Sequence, residues 1–100
     1  MDHLSPEDAK RQIDDGATLI DIRSQKEFAD AHIPGAVLLP AALIDADCAP
    51  QIKNGQVVFY CASGARSAQG VMTLRRLGYT EVHNLGGLSH WQAAGGAIQR

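Results

Sequence analysis

The chain has 100 residues, of which 45% are hydrophobic and 20% charged, and its formal net charge is −2. That is enough chain for one domain, read as residues 1–100, and the balance is that of a globular protein rather than a disordered one. With no Lys/Arg cluster and no basic-aromatic interleaving, nucleic acid is not an expected partner, and any attraction for an anion has to be local.

Met1-Asp2-His3-Leu4-Ser5-Pro6 has neither a basic n-region nor an apolar h-region, so no signal peptide is expected. No apolar run reaches membrane-spanning length, and no membrane partner is expected either. Ser5-Pro6-Glu7-Asp8 starts a helix, with Ser5 as N-cap, Pro6 at the first helical position and acids in the first turn. It carries Ala9 and Ile13 inward and stops near Asp15-Gly16. Leu19 to Ile22 is a short buried strand. Asp21 and Arg23 lie at its C-terminal end, where open α/β sheets place their sites. They are read as a buried structural pair tying this edge to the active region, in preference to a solvated ion pair or direct catalysis.

Ser24-Gln25-Lys26-Glu27 is a capping box that opens a short helix through Phe28 and Ala29. His32-Ile33-Pro34-Gly35-Ala36 turns the chain into a strand from Val37 to Leu39, with Pro40 as a stop. Residues 41–53 are helix-compatible, weakly patterned and interrupted by Pro50. Cys48 lies there, with nothing local to lower its pKa, so it is not expected to act as a resolving thiol. Asn54-Gly55 is a turn.

Val57-Val58-Phe59-Tyr60 reads as a buried strand, followed by Cys61-Ala62-Ser63-Gly64-Ala65-Arg66-Ser67. A helix is expected from Ala68 to Leu77, with Ala68, Val71, Met72, Leu74 and Leu77 at helical spacing and Gly78 as a stop. Thr80 to Leu85 is a last strand, and Gly86-Gly87 a turn demanding positive φ or close backbone approach. Leu88 to Ala94 is a final helix, with Trp91 as a core anchor rather than a substrate-facing ring. Strands alternating with helices at short spacing indicate an α/β sandwich with a mainly parallel sheet.

The chemistry concentrates after the strand ending at Tyr60. A loop of Gly64 and small residues can curl so that successive N–H groups point inward, and the helix adds its positive N-terminal end. Oriented amides and Arg66 are the surroundings that lower a thiol pKa and leave Cys61 as thiolate. A thiol so held needs no general base, so His32 is read as a hydrogen-bonding loop histidine. His3, His32, His83 and His90 show no metal-ligand spacing, and neither a metal nor a cofactor is expected. Cys48 and Cys61 form no C-x-x-C and suggest no disulfide framework; a free working thiol fits a reducing cytoplasm.

Tyr60 to Ser67 resembles the active-site loop of rhodanese-type sulfurtransferases. Leu19-Ile20-Asp21-Ile22-Arg23, Glu27-Phe28 and His32-Ile33-Pro34-Gly35-Ala36 resemble that family's N-terminal signature, and Val82-His83-Asn84-Leu85-Gly86-Gly87 with Trp91 its C-terminal one. The resemblance implies a rhodanese-like three-layer α/β/α sandwich with a mainly parallel five-stranded sheet, the catalytic loop joining the central strand to a helix. It also implies transfer of a sulfane sulfur from a donor such as thiosulfate to cyanide or a thiol, through a Cys61 persulfide. Ala62, Ser63, Gly64, Ala65, Arg66 and Ser67 would bind the substrate, with Asp21, Arg23, Glu27, His32 and Trp91 in support. Arg66 would bind donor oxygens or, alternatively, brace the loop against a carboxylate such as Glu27.

Three alternatives remain. One is a persulfide carrier that takes sulfur from one protein and passes it to another. A second is an inactive regulatory module, against which the retained nucleophile argues. The third is phosphatase or arsenate reductase chemistry, whose loops in the related cell-cycle phosphatases hold one residue more between cysteine and arginine. Here the interval is Ala62 to Ala65, a bowl too tight for phosphoryl transfer and suited to one sulfur. The expected partners are a small-molecule donor and acceptor or a protein sulfur acceptor, with the chain as a monomer.

Overall fold

The computed structural model of the protein describes residues 4–39, 52, 55–62 and 64–100. His3, the Pro40 stop, the stretch 41–53 apart from Ile52, Cys48, Asn54 and Ser63 lie outside these residues. Along the described chain the elements run α1 (Pro6–Asp14), β1 (Thr18–Asp21), α2 (Gln25–Asp30), β2 (Val37–Leu38), β3 (Gln56–Cys61), α3 (Ala65–Arg76), β4 (Glu81–Gly87) and α4 (Leu88–Ala93).

The strands form one sheet in the order β2-β1-β3-β4, each neighbouring pair parallel. β3 is bonded on both sides, which is why Val57 through Cys61 are completely buried and the run reads as continuously apolar. The five strands implied by the family resemblance are four among the described residues. At the outer edge of β4, Leu4 donates one backbone hydrogen bond to the Asn84 carbonyl at 2.7 Å. Pro6 follows at once as the first residue of α1, and a proline has no N–H with which to continue a ladder.

Alternation along β3 divides the core. Val57, Phe59 and Cys61 face one cluster with Ile20, Ile22, Val71, Leu74 and Val82, so this face is covered by α3. Val58 and Tyr60 face the other, with Ala9, Leu19, Ile33, Leu85, Leu88 and Trp91, under α1 and α4. Burying side chains of this size stabilises the fold by roughly 1.5–3 kcal/mol each. Cys61 therefore emerges on the α3 side and Tyr60, its neighbour, on the opposite one.

Local signals place the helices. Ser5 Oγ accepts the Asp8 N–H at 3.1 Å, a cap worth about 1 kcal/mol, and α1 closes at Asp15 with Gly16 at φ 104°. In α2 the Glu27 N–H donates to Ser24 Oγ at 3.2 Å and the Ser24 N–H to Glu27 Oε1 at 3.0 Å, completing the capping box.

Two expectations change. α3 begins at Ala65, three residues before the expected Ala68, because Gly64 takes φ 97° and turns the chain directly off the strand. Its buried face consists of Ser67, Gly70, Val71 and Leu74, while Met72 and Leu77, expected inside, are about half exposed at 47% and 46%. Gly70 explains the shift: a β-carbon there would lie 2.9 Å from Ile22 Cδ1 and 3.1 Å from Phe59 Cε1, so the helix rests on the sheet through its backbone. The second change is at Gly86-Gly87, which continue β4 rather than forming a turn after it. The register slips between Phe59 and Tyr60, setting Gly86 opposite Tyr60 and Gly87 opposite Cys61, and Gly86 takes the positive φ of 97°.

Candidate functional site

β3 ends with its thiol directed at the start of α3. The Gly64 N–H donates to Cys61 Sγ at 2.8 Å, and Ser67 Oγ lies 3.4 Å from the same sulfur. α3 has no acidic residue in its first turn, and Gly64 offers no side-chain cap. The first-turn amides, which have no partner within the helix, and the helix dipole favour a negative group at the end of β3. The sulfur lies beneath the surface: Cys61 is fully buried, whereas Ala62 and Ala65 are exposed. Its surroundings are polar on the loop side and apolar below, so it is not enclosed by hydrocarbon alone.

Arg66 pairs bidentately with Glu27, Nη1 to Oε1 at 3.0 Å and Nη2 to Oε2 at 3.1 Å. The guanidinium, helped by the Ser24 N–H, holds the Glu27 carboxyl down at about 2. Arg66 is raised in turn, chiefly by Glu27 and also by the field of Cys61. Both terminal nitrogens of the arginine are therefore engaged with the carboxylate of the bracing alternative, across the gap from α3 to α2.

On the other face, Arg23 Nε and Nη2 donate to Asp21 at 2.7–3.1 Å, and the pair is 6% and 0% exposed. Burial alone would lower the Arg23 pKa; the Asp21 carboxylate outweighs it and raises the guanidinium above its ordinary value. Arg23 also donates to the Ala31 carbonyl and lies 5.5 Å from the Tyr60 ring centroid. Tyr60 accepts the Ile33 N–H on its hydroxyl at 3.0 Å, and burial, with Asp21 adjacent, pushes its phenol up. The residue immediately before Cys61 is thereby tied to β1 and to the segment after α2.

His32 donates from Nδ1 to the Phe28 carbonyl at 2.8 Å and stacks on the Phe28 ring at 3.8 Å. Its backbone exchanges hydrogen bonds with Gln99. Trp91 is 5% exposed, donates from Nε1 to the Ala97 carbonyl at 2.9 Å, and belongs to the cluster across the sheet from the nucleophile. It lines a cavity of about 390 Å3 with Pro6, Ile13, Ile33 and Gly96, a space Cys61 does not line.

Sequence reasoning placed Ser67 among the substrate-binding loop residues without assigning its hydroxyl a partner, and gave Asn84 no role. Ser67 is fully buried, and its hydroxyl points under the loop, 3.0 Å from the Gly64 carbonyl and 2.6 Å from Asn84 Oδ1. Asn84 Nδ2 donates to the same Gly64 carbonyl at 3.2 Å, and its Oδ1 accepts the Gly86 N–H at 2.8 Å. The available signal was position: Asn84 is two residues from Val82, on the inward face of a strand that buries both.

Comparison with known proteins matches residues 5–94 to the Rhodanese-like domain family. A relative named Sulfurtransferase, from Allochromatium vinosum, is 44% identical over 78 residues, which are 77% of this chain and 73% of the relative. Thiosulfate sulfurtransferase PspE of Escherichia coli is 35% identical over 71 residues, 69% of this chain and 68% of that one. Among solved structures, a Rhodopseudomonas palustris protein of unknown function described as a possible tyrosine phosphatase is 30% identical. It superimposes with a TM-score of 0.80, covering 99% of this chain and 85% of that one. Other relatives are much longer: the chain spans 24% of the probable adenylyltransferase/sulfurtransferase MoeZ of Mycobacterium tuberculosis and 49% of the putative sulfur carrier protein YrkF of Bacillus subtilis.

Proposed function

The chain belongs to the rhodanese-like sulfurtransferase family, and from that premise we propose that it moves a sulfane sulfur from thiosulfate to a thiol or cyanide through a persulfide on Cys61. The observation that carries this is the cysteine at the N-terminal end of α3, with the Gly64 amide 2.8 Å from its sulfur. The thiolate attacks the outer sulfur of thiosulfate; the new Cys–S bond forms as the donor's S–S bond breaks, and sulfite leaves with the electron pair. The acceptor thiolate or cyanide then attacks the terminal sulfur and returns Cys61 as thiolate. Amides of the loop stabilise the charge on each sulfur in turn. Because Cys61 is fully buried, whatever covers its sulfur has to yield for the donor to reach it.

Arg66, in this account, braces the loop rather than gripping the donor, since Glu27 takes both terminal nitrogens. Ser67 contributes its hydroxyl from below, and Asp21, Arg23 and Tyr60 hold the strand end from which Cys61 projects. The name PspE favours thiosulfate as donor, and YrkF favours a carrier role in which both sulfur partners are proteins.

The test is thiocyanate formation from thiosulfate and cyanide, set beside hydrolysis of an aryl phosphate by the same preparation. Thiocyanate formation that disappears in Cys61→Ser supports the proposal. Faster phosphate hydrolysis would overturn it, and with it the argument that four residues between Cys61 and Arg66 leave room for a sulfur but not a phosphate. Sulfur uptake only from a protein persulfide would assign the carrier role.

A further inference from the structure

One buried carboxamide joins three segments around the nucleophile. Asn84 lies opposite Phe59 on β4, just before the register slips. Its Oδ1 accepts the Gly86 N–H that the slip turns toward it, and accepts the Ser67 hydroxyl; its Nδ2 donates to the Gly64 carbonyl. These partners fix the orientation of the amide: an N–H must face the oxygen, and a carbonyl the nitrogen. Gly64 and Ser67 are the residues whose amide and hydroxyl lie 2.8 Å and 3.4 Å from Cys61 Sγ.

We infer that Asn84 is a positioning residue for the nucleophile, orienting the Ser67 hydroxyl and fixing the Gly64 peptide so that both address the Cys61 sulfur. The inference rests on Cys61 being the nucleophile, as proposed above. Ser67 has a single proton, with Asn84 Oδ1 at 2.6 Å, the Gly64 carbonyl at 3.0 Å and the sulfur at 3.4 Å. A neutral thiol can donate to Ser67 Oγ while the hydroxyl proton goes to Asn84. When the sulfur is ionised it is the strongest acceptor of the three, and the proton turns to it. The hydroxyl therefore serves both charge states, its oxygen easing away from Asn84 Oδ1 at 2.6 Å once the proton turns, and Asn84, itself uncharged, supplies the alternate acceptor. An aspartate here would set a carboxylate oxygen against the Gly64 carbonyl, acceptor against acceptor, and bring a negative charge close to the sulfur.

Among the described residues, the charged groups on the elements around Cys61 are Arg66 of α3, with Glu27 of α2 behind it, and Arg23 beyond the end of β1 paired with Asp21. Tyr60 of β3 points to the opposite face, and β4 presents Leu85, Gly86 and Gly87 at this end.

The experiment is a thiolate titration by ultraviolet absorbance, each protein read against its own Cys61→Ser counterpart so that only Cys61 contributes. Ser67→Ala should raise the midpoint by about one pH unit, a tenfold loss of thiolate at a fixed lower pH, as expected for losing a hydrogen bond to a charged group. Asn84→Ala, which removes the amide's contacts to Ser67 and Gly64 and adds no charge, should also raise it and should lower kcat/KM for transfer more than tenfold at neutral pH. Reduced melting temperatures with midpoints unmoved would mean a structural role only and would overturn the inference. Should Asn84→Ala fail to fold, Asn84→Gln, which keeps an uncharged amide but displaces it from Ser67 and Gly64, is read in its place, with an unmoved midpoint again overturning the inference. A shifted midpoint in a protein that transfers no sulfur would sink the functional proposal and leave this one standing.

Discussion

Replacing Glu27 with Gln removes one charge from the bidentate pair with Arg66 and preserves the shape of the side chain. The Glu27 carboxyl is held at about 2 against 4.5 in an ordinary environment, by Arg66 first and the Ser24 N–H second. Taken at face value, that gap would correspond to roughly 3 kcal/mol. Both partners keep solvent access, at 35% and 41%, so water screens the pair, and about 1 kcal/mol is the expected cost. For a domain near this size that is about 4–8 °C in melting temperature. The carboxyl is depressed in the folded state, so its contribution is complete above about pH 4.5 and is lost as pH falls through about 2. Urea denaturation at a series of pH values should therefore show wild type and Glu27→Gln separated at pH 7 and converging below pH 4.5. Coincident curves at pH 7, or a separation that does not shrink in acid, would refute the bracing account. So would a fall in thiosulfate KM, since a donor-binding Arg66 would work better once released from Glu27.

Arg23→Ala should destabilise the protein by about 3–5 kcal/mol in chemical denaturation, because it strands the fully buried Asp21 charge; a loss under 1 kcal/mol would mean the pair is not what holds this end of β1. Gly70→Ala should lower the melting temperature despite alanine's better helix propensity, since its methyl meets Ile22 and the Phe59 ring. A gain would show that α3 can lift from the sheet at little cost.

The sequence disclosed what is written locally. Ser5 with Pro6, and Ser24 with Glu27, announce helix starts because cap and amide lie three residues apart in the chain. The β3 run and its cysteine were legible because an interior parallel strand has apolar residues on both faces. The missed features depend on backbone conformation that a sequence permits without specifying, or on contacts with residues distant in the chain. α3 starts early because Gly64 is left-handed, which glycine permits but does not announce. Met72 and Leu77 had helical spacing but not the right side of the helix, since Gly70 set the contact face. Asn84 acts on Gly64 and Ser67, 20 and 17 residues upstream, so no local pattern reveals its partners. Gly86-Gly87 looked like a turn because a bulge and a turn require the same backbone freedom.

Intact-mass analysis after brief incubation with thiosulfate tests the sulfur-transfer account most directly. The protein should gain the mass of one sulfur atom, mapped to Cys61 on fragmentation, and lose it on addition of cyanide or a thiol. An unchanged mass, or an added sulfur on Cys48 with Cys61 untouched, would contradict it.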